Sequence, residues 1–336
     1  MKTRSGCIQP PDRRTEAEVT KVSFVIPCYR SEHTITTVVE DIGMTMAQRP
    51  ELEYEIVLVS DHSPDRVFEV IKSLAAQDRR IKGIDFTRNF GQHAALMAGY
   101  RQCTGDYIVS LDDDGQTPAN EVFRLIDKLE EGYDVVFASY AEKKQNAFRR
   151  FGSQVNAWMT EVLIGKPHSL QANSYYAMKR YVMTEMIRYE NAYPYIGGLV
   201  FRCTKNVANV PVDQKNRLEG KSGYGFKKLL SLWMNGFTAF SVKPLRLSTL
   251  AGAAFSVVGI IYGIYTIIHK ILYPTVPAGY SSLMAVLLFL GGMLMLMLGM
   301  IGEYIGRIYI SLNRSPQYVI RETVNASEEQ GGIRNV

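Results

Sequence analysis

Two stretches toward the C-terminus run without a single charged residue: LSTLAGAAFSVVGIIYGIYTII at 247–268 and SLMAVLLFLGGMLMLMLGMIG at 282–302. About 20 such residues carry a helix across a hydrocarbon core of about 30 Å. A buried helix of a soluble protein is usually shorter and keeps a polar stripe, which neither stretch shows. Pro274, Pro277 and Gly279 lie between them, so the pair reads as a transmembrane hairpin. Lys243 and Arg246 precede the first span and Arg307, Arg314 and Arg321 follow the second, whereas Lys270 stands alone in the turn. By the cytoplasmic bias of such cations, both termini and everything before the hairpin are expected on the cytoplasmic side of the cell (inner) membrane.

A chain built this way has two parts of unlike physics. Its mean hydropathy of -0.07 over 336 residues averages a charged body with an apolar tail, and so says nothing about solubility. Residues 1–21 are basic and proline-containing with no apolar run behind them, which is the pattern of a flexible leader and not of a secretory signal. Cys7, Cys28, Cys103 and Cys203 lie far apart without zinc-site spacing, which argues against structural zinc and a disulfide framework. The net charge of +5 is modest and calls for no nucleic acid. Within residues 225–246, the run GFKKLLSLWMNGFTAF places Leu229, Leu230, Trp233 and Phe237 on one helical face; a bilayer surface or a protein surface would serve that face equally.

Before the hairpin, apolar runs rich in β-branched residues recur at 22–26, 55–59, 81–86, 107–111 and 135–138, separated by longer helix-like stretches. Such alternation predicts an α/β domain over 22–224 with a mostly parallel, Rossmann-like sheet, whose ligands gather beyond the carboxyl ends of the strands. The residues there are polar: Tyr29, Ser31 and Glu32 after the first run, Ser60, Asp61 and His62 after the second, Asp112, Asp113 and Asp114 after the fourth. Any one acidic loop is commonly a turn or a cap. Three on one edge point to a site. The triplet has two open readings, a solvated turn or a hold on a divalent cation. In an extended segment alternate residues share a side, so Asp112 and Asp114 can face Mg²⁺ or Mn²⁺ together, joining it to a diphosphate.

The ordered pieces IPCYRSE, VSDHSPD, RNFGQHAALMAGY and GDYIVSLDDDGQTP, followed by NRLEGKSGYGFKKLL and GEYIGRIYISLNRSPQYVIRE, resemble the polyprenyl-phosphate glycosyltransferases of glycosyltransferase family 2. The resemblance runs over about residues 22–322 and is closest to bacterial members with two membrane helices. It implies a GT-A fold, a metal held by a D-x-D element, and inverting transfer of a sugar from UDP or GDP to undecaprenyl phosphate. Carried over by position, Pro27, Tyr29, Glu32, Asp61, Asp112 and Asp113 line the nucleotide, and Asp112, Asp114 and Gln116 surround the metal. Arg217, with Lys221 and Ser222, is expected to hold the acceptor phosphate and to act with Asp112 and Asp114 in catalysis. Arg149 and Arg150 are weaker members of that clamp, or else a solvated basic turn or lipid contact. The resemblance also implies a homo-oligomer, a tetramer by analogy.

Three departures from the family pattern are visible. His62 stands in place of a glycine, residues 173–178 (NSYYAM) replace an Asp-Phe-Arg-Leu-Met run, and Gly223 takes the place of a lysine. Among rival readings, a processive synthase would need more than two spans to enclose a channel, and a flippase would need a polar path that the hairpin does not offer. A membrane-anchored nucleotide-sugar-binding scaffold without catalysis is the alternative from another class. The expected parts are thus a leader (1–21), a catalytic domain (22–224), an interfacial segment (225–246), two spans (247–302) and a cytoplasmic tail (303–336).

Overall fold

The computed structural model describes residues 19–140, 167, 170–213, 279–313 and 315–326, together with single positions between 252 and 273. Its N-terminal part alternates strand and helix: β1 Lys21–Cys28, α1 Ile35–Met46, β2 Glu53–Ser60, α2 Val67–Gln77, β3 Ile81–Phe86, α3 Gln92–Arg101, β4 Tyr107–Ser110, α4 Val122–Glu130 and β5 Val135–Ser139. There follow β6 Tyr176–Lys179, α5 Arg180–Ile187, α6 Ile196–Cys203, β7 Val207–Pro211, α7 Tyr280–Leu312 and β8 Ile320–Val324.

All eight strands form one sheet in the order β7-β5-β6-β4-β1-β2-β3-β8. Its centre, β4-β1-β2-β3, is parallel, whereas β6 runs antiparallel to β4 and β5. β1 and β2 are buried almost throughout because helices cover both faces, which is why they read as unbroken apolar runs. Side chains alternate between the two faces: Val22, Phe24 and Ile26 pack under α1, α2 and α4, while Val25 joins α3, α5 and α6 on the other side. The amphipathic α4 buries Val122, Leu125, Ile126 and Leu129, a single i, i+3, i+4, i+7 stripe. On the opposite face α3 lies close to the sheet, because Gly99 presents no side chain: a Cβ there would fall 2.3 Å from Val25 Cγ1. That close approach fixes where α3 begins, beside the carboxyl ends of the strands.

The chain leaves the sheet after β7 and returns to it at β8. Among residues 247–268, Gly252, Ala254, Val257, Ile261, Tyr262, Ile264, Tyr265 and Ile268 are described, and all are helical. Gly252 faces Met297 of α7, whose Cε lies 3.3 Å from a Cβ built on the glycine, so the two arms of a hairpin touch. The stretch Phe289–Gly306 of α7 has a mean hydropathy of 1.5 and no buried residue, the one described helix long and apolar enough to cross a membrane. Leu294, Met295, Leu298 and Ile305 are exposed along it.

Beyond α7 the chain is fastened to the catalytic domain. β8 pairs antiparallel with β3, and Arg321 Nε donates to Asp85 Oδ2 at 2.6 Å, where the aspartate is 1% exposed. Tyr318 stacks on Phe86 with ring centroids 5.2 Å apart, and Gln317 Nε2 donates to the carbonyls of Tyr189 (2.6 Å) and Asn191 (2.9 Å). The stretch expected as a tail thus continues α7 to Leu312 and then adds an edge strand to the sheet. A chain that departs from the sheet and rejoins it begins and ends on one side of whatever its helices cross. The expected interfacial segment, residues 225–246, and most of the leader lie outside the described residues.

Candidate active site

The loops after β1, β2 and β4 meet at the carboxyl edge of the parallel strands and are stitched together by their own polar groups. The Glu32 amide donates to Asp65 Oδ2 (3.0 Å), while the Arg66 amide donates to Glu32 Oε2 (2.9 Å). The Arg30 amide donates to Ser63 Oγ (2.7 Å). Glu32, expected beside the nucleoside, therefore also holds the first two loops in register. Pro27 is buried within β1 opposite Val59, and Tyr29 is 44% exposed at the mouth. His62 keeps a left-handed backbone with φ +50°, so the turn retains the conformation that a glycine would adopt without strain.

Asp61 is 4% exposed and lies beneath the β3–α3 loop. Its two oxygens accept the amides of Phe90 (2.7 Å) and Gly91 (2.9 Å). Burial raises its pKa above the usual carboxylate value, against the pull of those amides. The geometry makes Asp61 the anchor of the loop that starts α3.

The acidic triplet lies just past β4. Asp113 turns toward the β1 loop, where its Oδ2 accepts the Tyr29 amide (2.8 Å) and its carbonyl accepts Thr34 Oγ1 (2.6 Å). Burial pushes its pKa up to about 6; the Tyr29 and Ser31 hydrogen bonds oppose this, and the charges of Asp112 and Asp114 add to it. Asp112 turns the other way, toward Gln92 of α3, whose Nε2 lies 3.3 Å from Oδ1, and toward Ser174, whose hydroxyl donates to Oδ2. Asp114 Oδ1 accepts the Gln116 amide at 3.0 Å across a turn made by Gly115 at φ +71°. The Tyr140 hydroxyl is pushed up to about 12 by burial and by the fields of Asp112 and Asp114. Both carboxylates therefore act on one neighbouring group.

The donor set suits a hard cation. Mg²⁺ and Mn²⁺ take oxygen ligands and commonly bind through one or two carboxylates completed by substrate phosphates. Asp112 and Asp114 supply such oxygens, with Gln116 beside them. Among the described residues, no three acidic, histidine or cysteine side chains form a ready-made cage.

Two contacts on Asp112 could not be read from spacing. Ser174 is 62 positions away and reaches Asp112 only because β6 pairs antiparallel with β4; Gln92 is 20 positions away and depends on the placement of α3. A clue to the first was present, since Ser174 lies in the run that departs from the family pattern. The acceptor-side candidates Arg149, Arg150, Arg217, Lys221 and Ser222 lie outside the described residues.

Residues 23–197 match the glycosyl transferase family 2 description, and residues 243–308 match the GtrB C-terminal hairpin. The chain is 35% identical over 304 residues to the uncharacterized glycosyltransferase YkcC of Bacillus subtilis, covering 90% of this chain and 93% of that one. It is 31% identical over 319 residues to the undecaprenyl-phosphate 4-deoxy-4-formamido-L-arabinose transferase of Shewanella sediminis, covering 92% and 94%. Among solved structures, glucosyl-3-phosphoglycerate synthase from Mycobacterium tuberculosis, crystallised with Mn²⁺, uridine diphosphate and phosphoglyceric acid, has a TM-score of 0.50 at 19% identity, over 65% of this chain and 76% of that one. The fold is thus GT-A, with a C-terminal hairpin attached.

Proposed function

The chain belongs to glycosyl transferase family 2, and on that premise we propose that it transfers a sugar from a nucleotide sugar to a polyprenyl phosphate, with inversion and with a divalent metal, at the cytoplasmic face of the inner membrane. The observation that carries this reading is the acidic run Asp112, Asp113 and Asp114 just past β4, at the carboxyl edge of a sheet whose own chain continues into an apolar hairpin. The names of the arabinose-transferring relatives, which act on undecaprenyl phosphate, support the acceptor; the Mn²⁺ and uridine diphosphate in the fold relative support the donor chemistry.

Transfer to a lipid phosphate is substitution at the anomeric carbon, with charge developing on the leaving nucleoside diphosphate. A metal held by Asp112 and Asp114, with Gln116 beside it, would stabilise that charge and fix the donor. The protein's own groups set the geometry. The Tyr29 amide and Thr34 hydroxyl hold Asp113 away from Asp112, and Asp61 holds the loop that carries Gln92. Glu32 and Asp65 lock the two loops on which Tyr29 and His62 stand. The acceptor needs little help from a base, because a phosphate monoester with its second pKa near 6 is largely a dianion at neutral pH. Its requirement is for cations, and Arg217, Lys221 and Ser222, with Arg149 and Arg150, are assigned that part.

The isoprenoid tail of such an acceptor stays in the bilayer, so the site must come to the membrane surface. The hairpin anchors it there, and residues 225–246 as an interfacial segment would hold Arg217 near the headgroups. The return of β8 to the sheet supports an even number of crossings, with the catalytic domain and the residues after α7 on one side. Homo-oligomerisation, with a tetramer by analogy to the family and the residues after the second span contributing, is part of the same proposal.

The reading is tested with purified full-length protein in detergent, Mn²⁺, a panel of labelled UDP- and GDP-sugars and undecaprenyl phosphate, followed by solvent extraction. Label in the organic phase for one donor, lost in Asp114→Asn, is expected. Donor binding without labelled lipid across the panel would favour a non-catalytic scaffold.

A further inference from the structure

We propose that Ser174 and Gln92 are positioning residues that hold the Asp112 carboxylate in the orientation in which it takes a divalent cation; the inference rests on the metal-dependent reading above. Asp112 is approached from two sides by residues distant in sequence. Gln92 Nε2 donates to Oδ1 at 3.3 Å from the first turn of α3, and Ser174 Oγ donates to Oδ2 from the segment entering β6. A carboxylate offers about four lone-pair positions, and two such bonds from opposite sides restrict its rotation.

Each donor stands on a fixed platform. The start of α3 is held by Asp61 through the Phe90 and Gly91 amides, and its body by the close approach of Gly99 to Val25. Ser174 follows Asn173, whose side chain donates to the Ala138 carbonyl and accepts the Tyr175 amide at 3.0 Å. Tyr175 in turn donates its hydroxyl to the Pro118 carbonyl at 3.0 Å, tying the same segment to the end of the acidic loop. Motion of the β6 entry and motion of the acidic loop are therefore linked.

The chemistry of the donors matters as much as their placement. Both are uncharged, so they orient Asp112 without neutralising it. A lysine or arginine in either place would orient the group equally well and cancel the charge that a cation needs. Carboxylates that bind metals are themselves commonly hydrogen-bonded, and removal of such a partner typically weakens metal binding 10–100-fold.

The test is Mn²⁺ binding by full-length protein in detergent, read as loss of the free-ion electron paramagnetic resonance signal in the presence of uridine diphosphate. Ser174→Ala is expected to weaken binding about 10-fold or more, Ser174→Thr to restore it, and Gln92→Ala to weaken it less because its bond, at 3.3 Å and exposed to solvent, is weak. Melting temperatures measured alongside should stay near that of the wild type, which separates positioning from damage to the fold. Unchanged or tighter binding by Ser174→Ala, with normal uptake by the wild type, would overturn this proposal alone. Absence of Mn²⁺ uptake by the wild type would overturn the metal-dependent reading and this proposal with it.

Discussion

The two ends of the same parallel strands hold carboxylates in opposite circumstances. At the amino end Glu55, its side chain 3% exposed, meets Lys21 at 3.0 Å and Lys82 at 2.9 Å and accepts hydrogen bonds from Ser23 Oγ and the Thr104 amide. Burial alone would raise its pKa, but those partners outweigh burial and leave it at about 2. At the carboxyl end Asp113 is raised to about 6, and its charged neighbours are two more aspartates. A groove of 630 Å³ opens at the amino end beside Met46, Tyr54 and Arg80, yet Arg80 is already paired with Asp78 at 2.7 Å and Lys21 with Glu55. At the amino end the carboxylate is matched by two lysines; at the carboxyl end the charges that raise Asp113 are those of carboxylates. The groove thus lies at the end where opposite charges are matched, and the clustered carboxylates lie at the other.

The largest expected effect falls on the carboxyl end. Asp114→Asn, or Asp112→Asn, should lower kcat for sugar transfer on the order of 10²–10³-fold, as loss of a preorganised charge-stabilising group does elsewhere. Steady-state assays against undecaprenyl phosphate check this, and a change under tenfold would blur the contrast between the two ends. Next in size is the balanced end. Glu55→Gln leaves Lys21 and Lys82 facing a neutral amide and should cost about 3 kcal/mol of stability, seen in chemical unfolding, while kcat stays near the wild-type value. Because the folded pKa of Glu55 is depressed, its contribution is complete above about pH 4.3 and is lost as pH falls toward 2. Acid unfolding of Glu55→Gln should accordingly lack the component that the wild type shows in that window.

How much of this was legible beforehand differs between the same two regions. β1 to β5 stood out because their burial demands unbroken β-branched runs, and β3 begins and ends at the residues the pattern marks, 81–86. β6, β7 and β8 did not. β6 is only YAMK, β7 ends in Pro211, and β8 reads IRETV in a charged tail; each is a strand because of its partner and not because of its own pattern. Asp112, Asp113 and Asp114 were legible as an acidic edge, but they lie past the end of β4 with Asp113 and Asp114 in a turn, so the hydrogen bonds to the β1 loop and not strand alternation direct Asp113 away from Asp112. Gln92 and Ser174 were not, since their reach depends on pairings between distant segments. Asp61 was read as a ligand contact; its role as an anchor of the β3–α3 loop was not legible, because it depends on where the Phe90 and Gly91 amides fall.

Smaller effects sharpen the same contrast. Asp113→Asn removes a disfavoured charge yet keeps an acceptor for the Tyr29 amide, so it should stabilise the protein at pH 7 by about 2 kcal/mol. The sign follows from a folded pKa above the unfolded one: the gain should shrink as pH falls from about 6 and vanish below the unfolded carboxylate range. A stability curve against pH for the variant and the wild type checks it. Smallest is His62→Gly, which relieves a left-handed residue and loosens the unfolded chain in return; a net gain of about 0.5 kcal/mol is expected.

The most direct test of the central claim is the shift in melting temperature that Mn²⁺ with uridine diphosphate produces in the wild type, in Glu55→Gln and in the double variant Asp112→Asn/Asp114→Asn, all full-length in detergent. Glu55→Gln should melt lower and keep the full shift; the double variant should melt no lower than the wild type and lose it. A shift that survives in the double variant, or disappears in Glu55→Gln, would contradict the assignment of the site to the carboxyl edge.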